Sequence, residues 1–172
     1  IYKSVDHGQN FERIIVLNAA NGFSNLSNNN QFDIWTLRYF ESDLYLLHDN
    51  EFYMIDSNNS INFISNIPTS SSGENILIGG QNNNTPFLYA RIDEEIYFSM
   101  NGGQSWSYRS DAPQWLFTRQ NSFNSSILNS NIVFWGGMEA FKSVDSGQSW
   151  NLVNNWWDYY DNPDTKLHAD IP

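Results

Sequence analysis

The stretch FKSVDSGQSW, residues 141–150, decides the fold, because the chain contains two close copies of it. One copy, YKSVDHGQNF, occupies residues 2–11, and the other, FSMNGGQSW, occupies residues 98–106. Each has the order Ser, any residue, Asp or Asn, any residue, Gly, two further residues and an aromatic residue. The residues at these defined positions are Ser4, Asp6, Gly8 and Phe11; Ser99, Asn101, Gly103 and Trp106; and Ser143, Asp145, Gly147 and Trp150. A sequence motif repeated in this way predicts a repeated structural unit.

A fourth and degenerate copy, MIDSNNSI, occupies residues 54–61. Asp56 keeps its place, Asn58 replaces the Gly, and Ile61 replaces the aromatic residue. Asn is the residue that best replaces Gly where the backbone is left-handed. The Asp or Asn positions of the four copies, at 6, 56, 101 and 145, are 50, 45 and 44 residues apart. A repeat of about 40 to 50 residues filled with short strands is typical of β-propeller blades.

The apolar runs between the copies have the character of strands, since β-branched and aromatic residues dominate them and no helical period is present. From residue 76 the runs are ILIGG, FLYARI, EIYFSM and SWSYRS. From residue 115 they are WLFTRQ, NIVFWGG, EAFKSV and SWNLVN. The sequence therefore predicts an all-β chain in which each unit has four antiparallel strands.

The repeated phrase has the chemistry of a turn between two strands. An Asp or Asn side-chain oxygen can accept hydrogen bonds from the backbone N–H groups that follow it, which closes the turn. Gly two residues later adopts a positive φ without a Cβ clash. We expect the aromatic residue to leave the turn at the first inward position of the next strand.

These motifs resemble the Asp-box, or BNR repeat. Proteins with this repeat include sialidases, xyloglucan-cleaving glycosidases and sortilin-type receptors, and they are β-propellers. The resemblance implies that the box is a structural turn on the outer part of a blade, away from the central binding face, so it leaves the function open. It implies an incomplete propeller of about three and a half blades, whose partners are the remaining blades of a longer chain. The expected blades are 1–17, 34–66, 75–110 and 115–154, followed by a tail, 155–172.

The last segment, GGMEAFKSVDSGQSWNLVNNWW followed by LHADIP, narrows the resemblance. It is similar to large secreted propeller proteins of gliding bacteria, several of which leave the cell by type IX secretion. The similarity includes His168 and Asp170. It implies a protein that is secreted or held on the bacterial cell surface.

The charge of the chain argues against several partners. With 19 acidic and 8 basic residues, its formal net charge of −11 repels phosphate backbones, so we expect no nucleic-acid partner. No apolar run is long enough to cross a bilayer, and we expect no membrane insertion. There is no Cys, which excludes disulfides and thiolate chemistry. We predict no cofactor.

The tail contains the candidate ligand-binding residues. The aromatic residues of WWDYYD, 156–161, suit a platform for a sugar ring, with carboxylates to bind its hydroxyls. Packing of these aromatic residues between blades is the favoured alternative. His168 and Asp170, with nearby aspartates, resemble half of a metal site, but turn capping is favoured and no metal is predicted. The candidate residues are Trp156, Trp157, Asp158, Tyr160, His168 and Asp170.

Three functions stay open at this point. The first is a non-enzymatic binding or display module of a secreted or surface protein, with extracellular carbohydrate or a surface protein as partner. The second is part of a propeller glycoside hydrolase, although the carboxylates lie next to predicted hairpin turns and none is assigned as catalytic. The third is an exported cargo or accessory of a secretion complex of the type IX kind.

Overall fold

The computed structural model describes residues 1–16, 35–40, 43–71, 73–82, 84–113 and 122–167. Within these ranges the chain forms fourteen strands and one short helix. The strands make one two-stranded sheet and three four-stranded sheets, and every pairing is antiparallel. The all-β, antiparallel character predicted from the sequence is confirmed.

The sheets follow one another along the chain, and we number them in that order. Sheet 1 contains β1 (Tyr2–Lys3) and β2 (Glu12–Arg13). Sheet 2 contains β3 (Trp35–Phe40), β4 (Asp43–His48), β5 (Glu51–Ile55) and β6 (Ile61–Asn66). Sheet 3 contains β7 (Asn75–Asn82), β8 (Thr85–Ile92), β9 (Glu95–Ser99) and β10 (Ser107–Asp111). Sheet 4 contains β11 (Phe123–Ser125), β12 (Val133–Trp135), β13 (Ala140–Ser143) and β14 (Asn151–Asn154), and the helix α1 (Asp158–Asp161) follows it.

Each four-stranded sheet is a simple meander, with its strands side by side in chain order. Two-residue loops connect β4 to β5 and β8 to β9. Asp49 and Asp93, the first residues of these loops, have φ of 53° and 54°. Tight two-residue hairpins need such left-handed residues, and Asp tolerates that conformation. Local sequence thus explains why successive strands are neighbours.

The core lies between the sheets, which stack face to face. Leu46 belongs to the buried cluster shared with sheet 1, whereas Leu47 belongs to the cluster shared with sheet 3. Ile76 and Leu77 divide in the same way between the clusters toward sheet 4 and sheet 2. Because neighbouring residues of a strand point to opposite faces, sheets 2 and 3 are buried on both faces. This is why their strands have continuous apolar runs instead of alternation.

The first strands of successive sheets contact each other, β3 with β7 and β7 with β11. Gly80 on β7 allows the segment that follows β11 to approach closely, because a Cβ there would lie 2.6 Å from the Cα of Ile127. Gln81 donates its backbone N–H to the Ile127 carbonyl at 3.2 Å, and Thr36 donates its hydroxyl to the Asn75 carbonyl. Sheets 2, 3 and 4 are therefore joined along their first strands.

Sheet 4 differs from the sequence prediction at its start. The unit was expected to begin with WLFTRQ, residues 115–120, which lies outside the described residues. The strand that pairs with β12 is instead β11, where Phe123 and Ser125 are buried and Asn124 is exposed. A strand of three residues with one apolar side chain is too short to stand out in the sequence.

Candidate functional site

The three complete copies of the motif connect the last two strands of sheets 1, 3 and 4. In each, the Ser hydroxyl donates to the Oδ1 atom of the residue two positions later. The distances are 2.8 Å for Ser4 to Asp6, 2.9 Å for Ser99 to Asn101, and 2.7 Å for Ser143 to Asp145. The same bond at three turns shows that the motif fixes one local structure.

The Ser oxygen also accepts the backbone N–H of the Gly four residues later. The donors are Gly8 at 2.8 Å, Gly103 at 2.9 Å and Gly147 at 2.8 Å. These glycines have φ of 83°, 82° and 81°, and the residue before each also has a positive φ. The Ser hydroxyl therefore stabilises two consecutive left-handed residues, of which Gly is the one without a steric cost.

The side-chain oxygen of the Asp or Asn completes the turn by accepting a backbone N–H four residues ahead. The N–H of Ser105 lies 3.0 Å from Asn101 Oδ1, and that of Ser149 lies 2.9 Å from Asp145 Oδ1. The other polar atom of the Asn or Asp side chain donates a hydrogen bond in one copy and accepts one in the other. Asn101 Nδ2 donates to the Ser105 hydroxyl, whereas Asp145 Oδ2 accepts from the Ser149 hydroxyl. Because a hydroxyl can donate or accept, Asn and Asp fit the same turn.

These hydrogen bonds favour the ionised carboxylates. The backbone N–H of Asn10, followed by its side chain, lowers the pKa of Asp6 to about 2. The hydroxyls of Ser149 and Ser143 lower the pKa of Asp145 to about 2. The backbone N–H of Ser60 likewise lowers the pKa of Asp56. The hydrogen bonds of the turn thus explain the lowered pKa values of these aspartates.

The degenerate copy forms a different turn from the one predicted. Asp56 Oδ1 accepts the backbone N–H groups of Asn58 and Ser60, both at 2.9 Å. The left-handed residue is Asn59, with φ of 62°, so the assignment of Asn58 to the Gly position was wrong. Met54 stands where the other copies have Ser. Without that hydroxyl the N–H of Asn58 turns to Asp56 instead, and the left-handed pair does not form.

The aromatic residues of two copies lie between sheets. Trp106, in sheet 3, packs on the buried cluster shared with sheet 2, with its ring centroid 5.2 Å from that of Phe52. Its Nε1 donates to the hydroxyl of Ser65 at 3.1 Å, and that hydroxyl donates to the Gly103 carbonyl at 2.5 Å. Ser65 lies on β6, so these bonds join the turn of one sheet to the last strand of the sheet before it.

The next pair of sheets repeats this arrangement. Trp150 Nε1 donates to the Ser110 hydroxyl at 2.9 Å, and that hydroxyl donates to the Gly147 carbonyl at 2.7 Å. We call each such set of Trp, Ser and Gly an inter-sheet clasp. Ser65 and Ser110 were not predicted from the sequence, although each follows the Asp or Asn of its own repeat by nine residues. That regular spacing is the signal that could have identified them.

The clasp is absent at both ends of the described stack. Phe11 is 64% exposed, and its expected inward packing stays a prediction. The described residues place no sheet on that side of sheet 1. At the other end, the position nine residues after Asp145 is Asn154, whose side chain bonds both the N–H and the carbonyl of Leu167 at 3.0 Å. Asn154 thereby holds the tail against sheet 4.

The tail forms an aromatic cluster from Trp156, Trp157 and Tyr160, which we call the tail cluster. The ring centroids of Trp156 and Trp157 are 4.0 Å apart, and that of Tyr160 lies 6.0 Å from Trp157. Among the described residues Trp157 is 62% exposed and Tyr160 60% exposed, so the favoured interpretation, in which they pack between blades, stays a prediction. Trp156 is half-buried beneath them.

Charged and polar side chains surround the tail cluster. Asp158 forms an ion pair with Lys166 at 3.4 Å, and Asp161 and Asp164 are exposed. His168 and Asp170 lie outside the described residues. Within the described ranges, no three His, Asp or Glu side chains come together in a way that could hold a metal ion.

Comparison of the chain with protein-family models gives no match, and comparison with curated proteins gives none that is significant. In the part of the chain that the structure describes, no helix could cross a membrane. The fold and the turns therefore define the chain as a stack of antiparallel sheets linked by repeated Ser–Asp/Asn–Gly turns.

Proposed function

We propose that the chain is a segment of an Asp-box β-propeller and serves as a non-enzymatic binding or display module of a secreted or surface-held bacterial protein. One observation carries the structural part of this proposal. Three turns with the same hydrogen bonds and the same left-handed glycine lie between the last two strands of three sheets. Successive propeller blades carry equivalent turns at equivalent corners.

The joining of the sheets also supports a propeller. First strands contact first strands, β3 with β7 and β7 with β11. Clasps join the far side of each sheet, through Ser65 and Ser110. Four-stranded meanders whose first strands surround an axis are the architecture of a propeller.

An exposed tyrosine on sheet 1 supports the proposal that this sheet packs against further blades. Tyr2 and Tyr97 occupy the same position, four residues before the Asp or Asn of their repeats. Tyr97 is 3% exposed within its four-stranded sheet, whereas Tyr2 is 63% exposed on β1, which among the described residues pairs only with β2. We infer that further strands and a neighbouring blade of a longer chain cover this position.

A binding role is favoured over catalysis because several of the described acids have turn roles. Asp49 and Asp93 are the left-handed residues of two hairpins, and Asp6 and Asp145 accept turn hydrogen bonds. The tail cluster, in contrast, presents exposed rings next to polar groups, which is the composition of a recognition surface.

The test combines a glycan array with a reducing-sugar assay on the purified chain. Binding without release of reducing ends is the expected result. Release of reducing ends would support the glycoside hydrolase instead. Protease shaving of intact source cells checks location: loss of the protein from the cell surface, or its presence in the medium, is expected, whereas full protection inside the cell would contradict export.

A further inference from the structure

The exposed rings of the tail cluster are more than scattered apolar residues. Single exposed hydrophobic side chains are ordinary on protein surfaces, but grouped aromatic rings mark interaction sites. Trp157 and Tyr160 are both more than half exposed and lie on one stretch of four residues. Their ring centroids are 6.0 Å apart with planes at 48°, so they form two walls of one surface.

The surface is held in place from below. The Trp156 ring packs against the Trp157 ring, with the two centroids 4.0 Å apart, while Trp157 stays 62% exposed. The helical turn α1 places Trp157 and Tyr160 three residues apart, and hence on the same face. The ion pair of Asp158 with Lys166 and the bonds of Asn154 to Leu167 fix the two ends of the segment. A ligand would therefore meet rings that are already ordered.

The size of the surface favours a small ligand over a protein partner. Two rings exposed to 62% and 60% offer on the order of 250 Å², if a whole aromatic side chain has about 200 Å². A stable protein interface needs about 800 Å² from each partner. The area fits one or two sugar rings.

The charges around the surface exclude an anionic ligand. Asp161, which follows Tyr160 in the chain, and Asp164 are both exposed, and the nearby cation, Lys166, is paired with Asp158. The net charge of −11 adds to the repulsion of sulfated or uronic-acid sugars. Neutral sugars remain, since their C–H faces stack on rings while carboxylates accept bonds from their hydroxyls.

We infer that the tail cluster binds a neutral oligosaccharide, with Trp157 stacking on a sugar ring, Tyr160 flanking it, and the Asp161 carboxylate accepting hydroxyl hydrogen bonds. This inference rests on the proposed binding role and names its site and ligand class.

The test is a titration of the chain with cellohexaose, xylohexaose and mannohexaose, and with the hexamer of galacturonic acid as the anionic control. Binding is followed by the indole N–H resonances of Trp156 and Trp157. We expect at least one neutral hexasaccharide to shift the Trp157 resonance and Trp157→Ala to weaken binding at least about tenfold. Tyr39→Ala, which removes an exposed ring on β3, is the matched control and should leave binding unchanged.

The possible failures are distinct. Binding of a neutral hexasaccharide that Trp157→Ala and Tyr160→Ala leave unchanged would overturn this site while the binding role stands. Tighter binding of the galacturonate hexamer, or no binding of any hexasaccharide, would overturn the ligand class. Cleavage of a hexasaccharide that also requires Trp157 would keep the site and overturn the non-enzymatic proposal.

Discussion

The turn from Ser99 to Trp106 and the turn from Met54 to Ile61 occupy the same place in neighbouring sheets and have different backbones. Both connect the last two strands, and both use a side-chain oxygen to accept the N–H four residues ahead. Only the first has a Ser two residues before the Asp or Asn, and only the first has two consecutive left-handed residues. The comparison shows that the Asp or Asn closes the turn, whereas the Ser hydroxyl selects its conformation.

The same pair of turns differs in what it contributes to the stack. The first ends in Trp106, which reaches back to Ser65 and forms a clasp. The second ends in Ile61, which packs on the buried cluster shared with sheet 1. A complete motif that ends in Trp therefore adds oriented hydrogen bonds between sheets, whereas the degenerate motif adds apolar contact through Ile61.

The largest expected effect comes from removing the aromatic side chain of a clasp. Trp106→Ala leaves a cavity beside Phe52 and should lower the free energy of unfolding by about 3 kcal/mol. Phe11→Ala, at the equivalent but exposed position, should change it by less than about 0.5 kcal/mol. Urea unfolding measures both. Equal losses for the two variants would show that the burial of Trp106 is not what distinguishes them.

A second pair of variants separates backbone strain from crowding. Gly8 and Gly103 have nearly the same φ, 83° and 82°, but a Cβ on Gly103 would lie 2.1 Å from a Phe52 ring carbon, whereas Gly8 has nothing nearer than 3.9 Å. Gly8→Ala should cost about 1 kcal/mol for the left-handed backbone. Gly103→Ala should cost about 1 to 3 kcal/mol more, because Phe52 must move. A similar loss of unfolding free energy for both would contradict this packing.

The Ser hydroxyl itself provides a sharper test of the comparison. Ser99→Ala leaves the buried N–H of Gly103 without its acceptor, and should lower the free energy of unfolding by about 1 to 2 kcal/mol. In the degenerate turn, Met54→Ser with Asn58→Gly should move the left-handed backbone from Asn59 to residues 57 and 58. Backbone couplings and chemical shifts from NMR report φ at these residues. An unchanged φ at Asn59 would show that the hydroxyl does not select the turn.

The smallest expected effect is on acid stability. The folded-state pKa of Asp145, about 2, lies below its ordinary value of 3.8, so its stabilising contribution is present above pH 4 and is lost as the pH falls toward 2. Asp145→Asn, which copies the residue present at Asn101, should therefore show a weaker decline in urea midpoint between pH 4 and pH 2 than the parent chain. Parallel declines of the two proteins would mean that Asp145 gains no stability from its turn.

The sequence repeat was sufficient to predict the strands and hairpins of the repeated units. The motif around Asp145 predicted the hairpins, and the apolar runs of β7 to β10 predicted the strands. The partners in space were not predictable, because Ser65 and Ser110 look like ordinary strand residues until a neighbouring Trp reaches them. The tail cluster was visible as an aromatic-rich composition, but the hydrogen bonds between Asn154 and Leu167 join residues with no shared pattern and were not predictable.

In sheets 3 and 4 the complete turn joins its sheet to the one before it through a Ser hydroxyl that bonds both a Trp indole and a Gly carbonyl. A double-mutant cycle between Ser65→Ala and Trp106→Phe, read by urea unfolding, tests it directly, with Ser65→Ala and Trp150→Phe as the distant control pair. The account predicts a coupling free energy of about 0.5 to 1.5 kcal/mol for the first pair and additivity for the control. Additivity of Ser65 with Trp106 to within about 0.3 kcal/mol would contradict it.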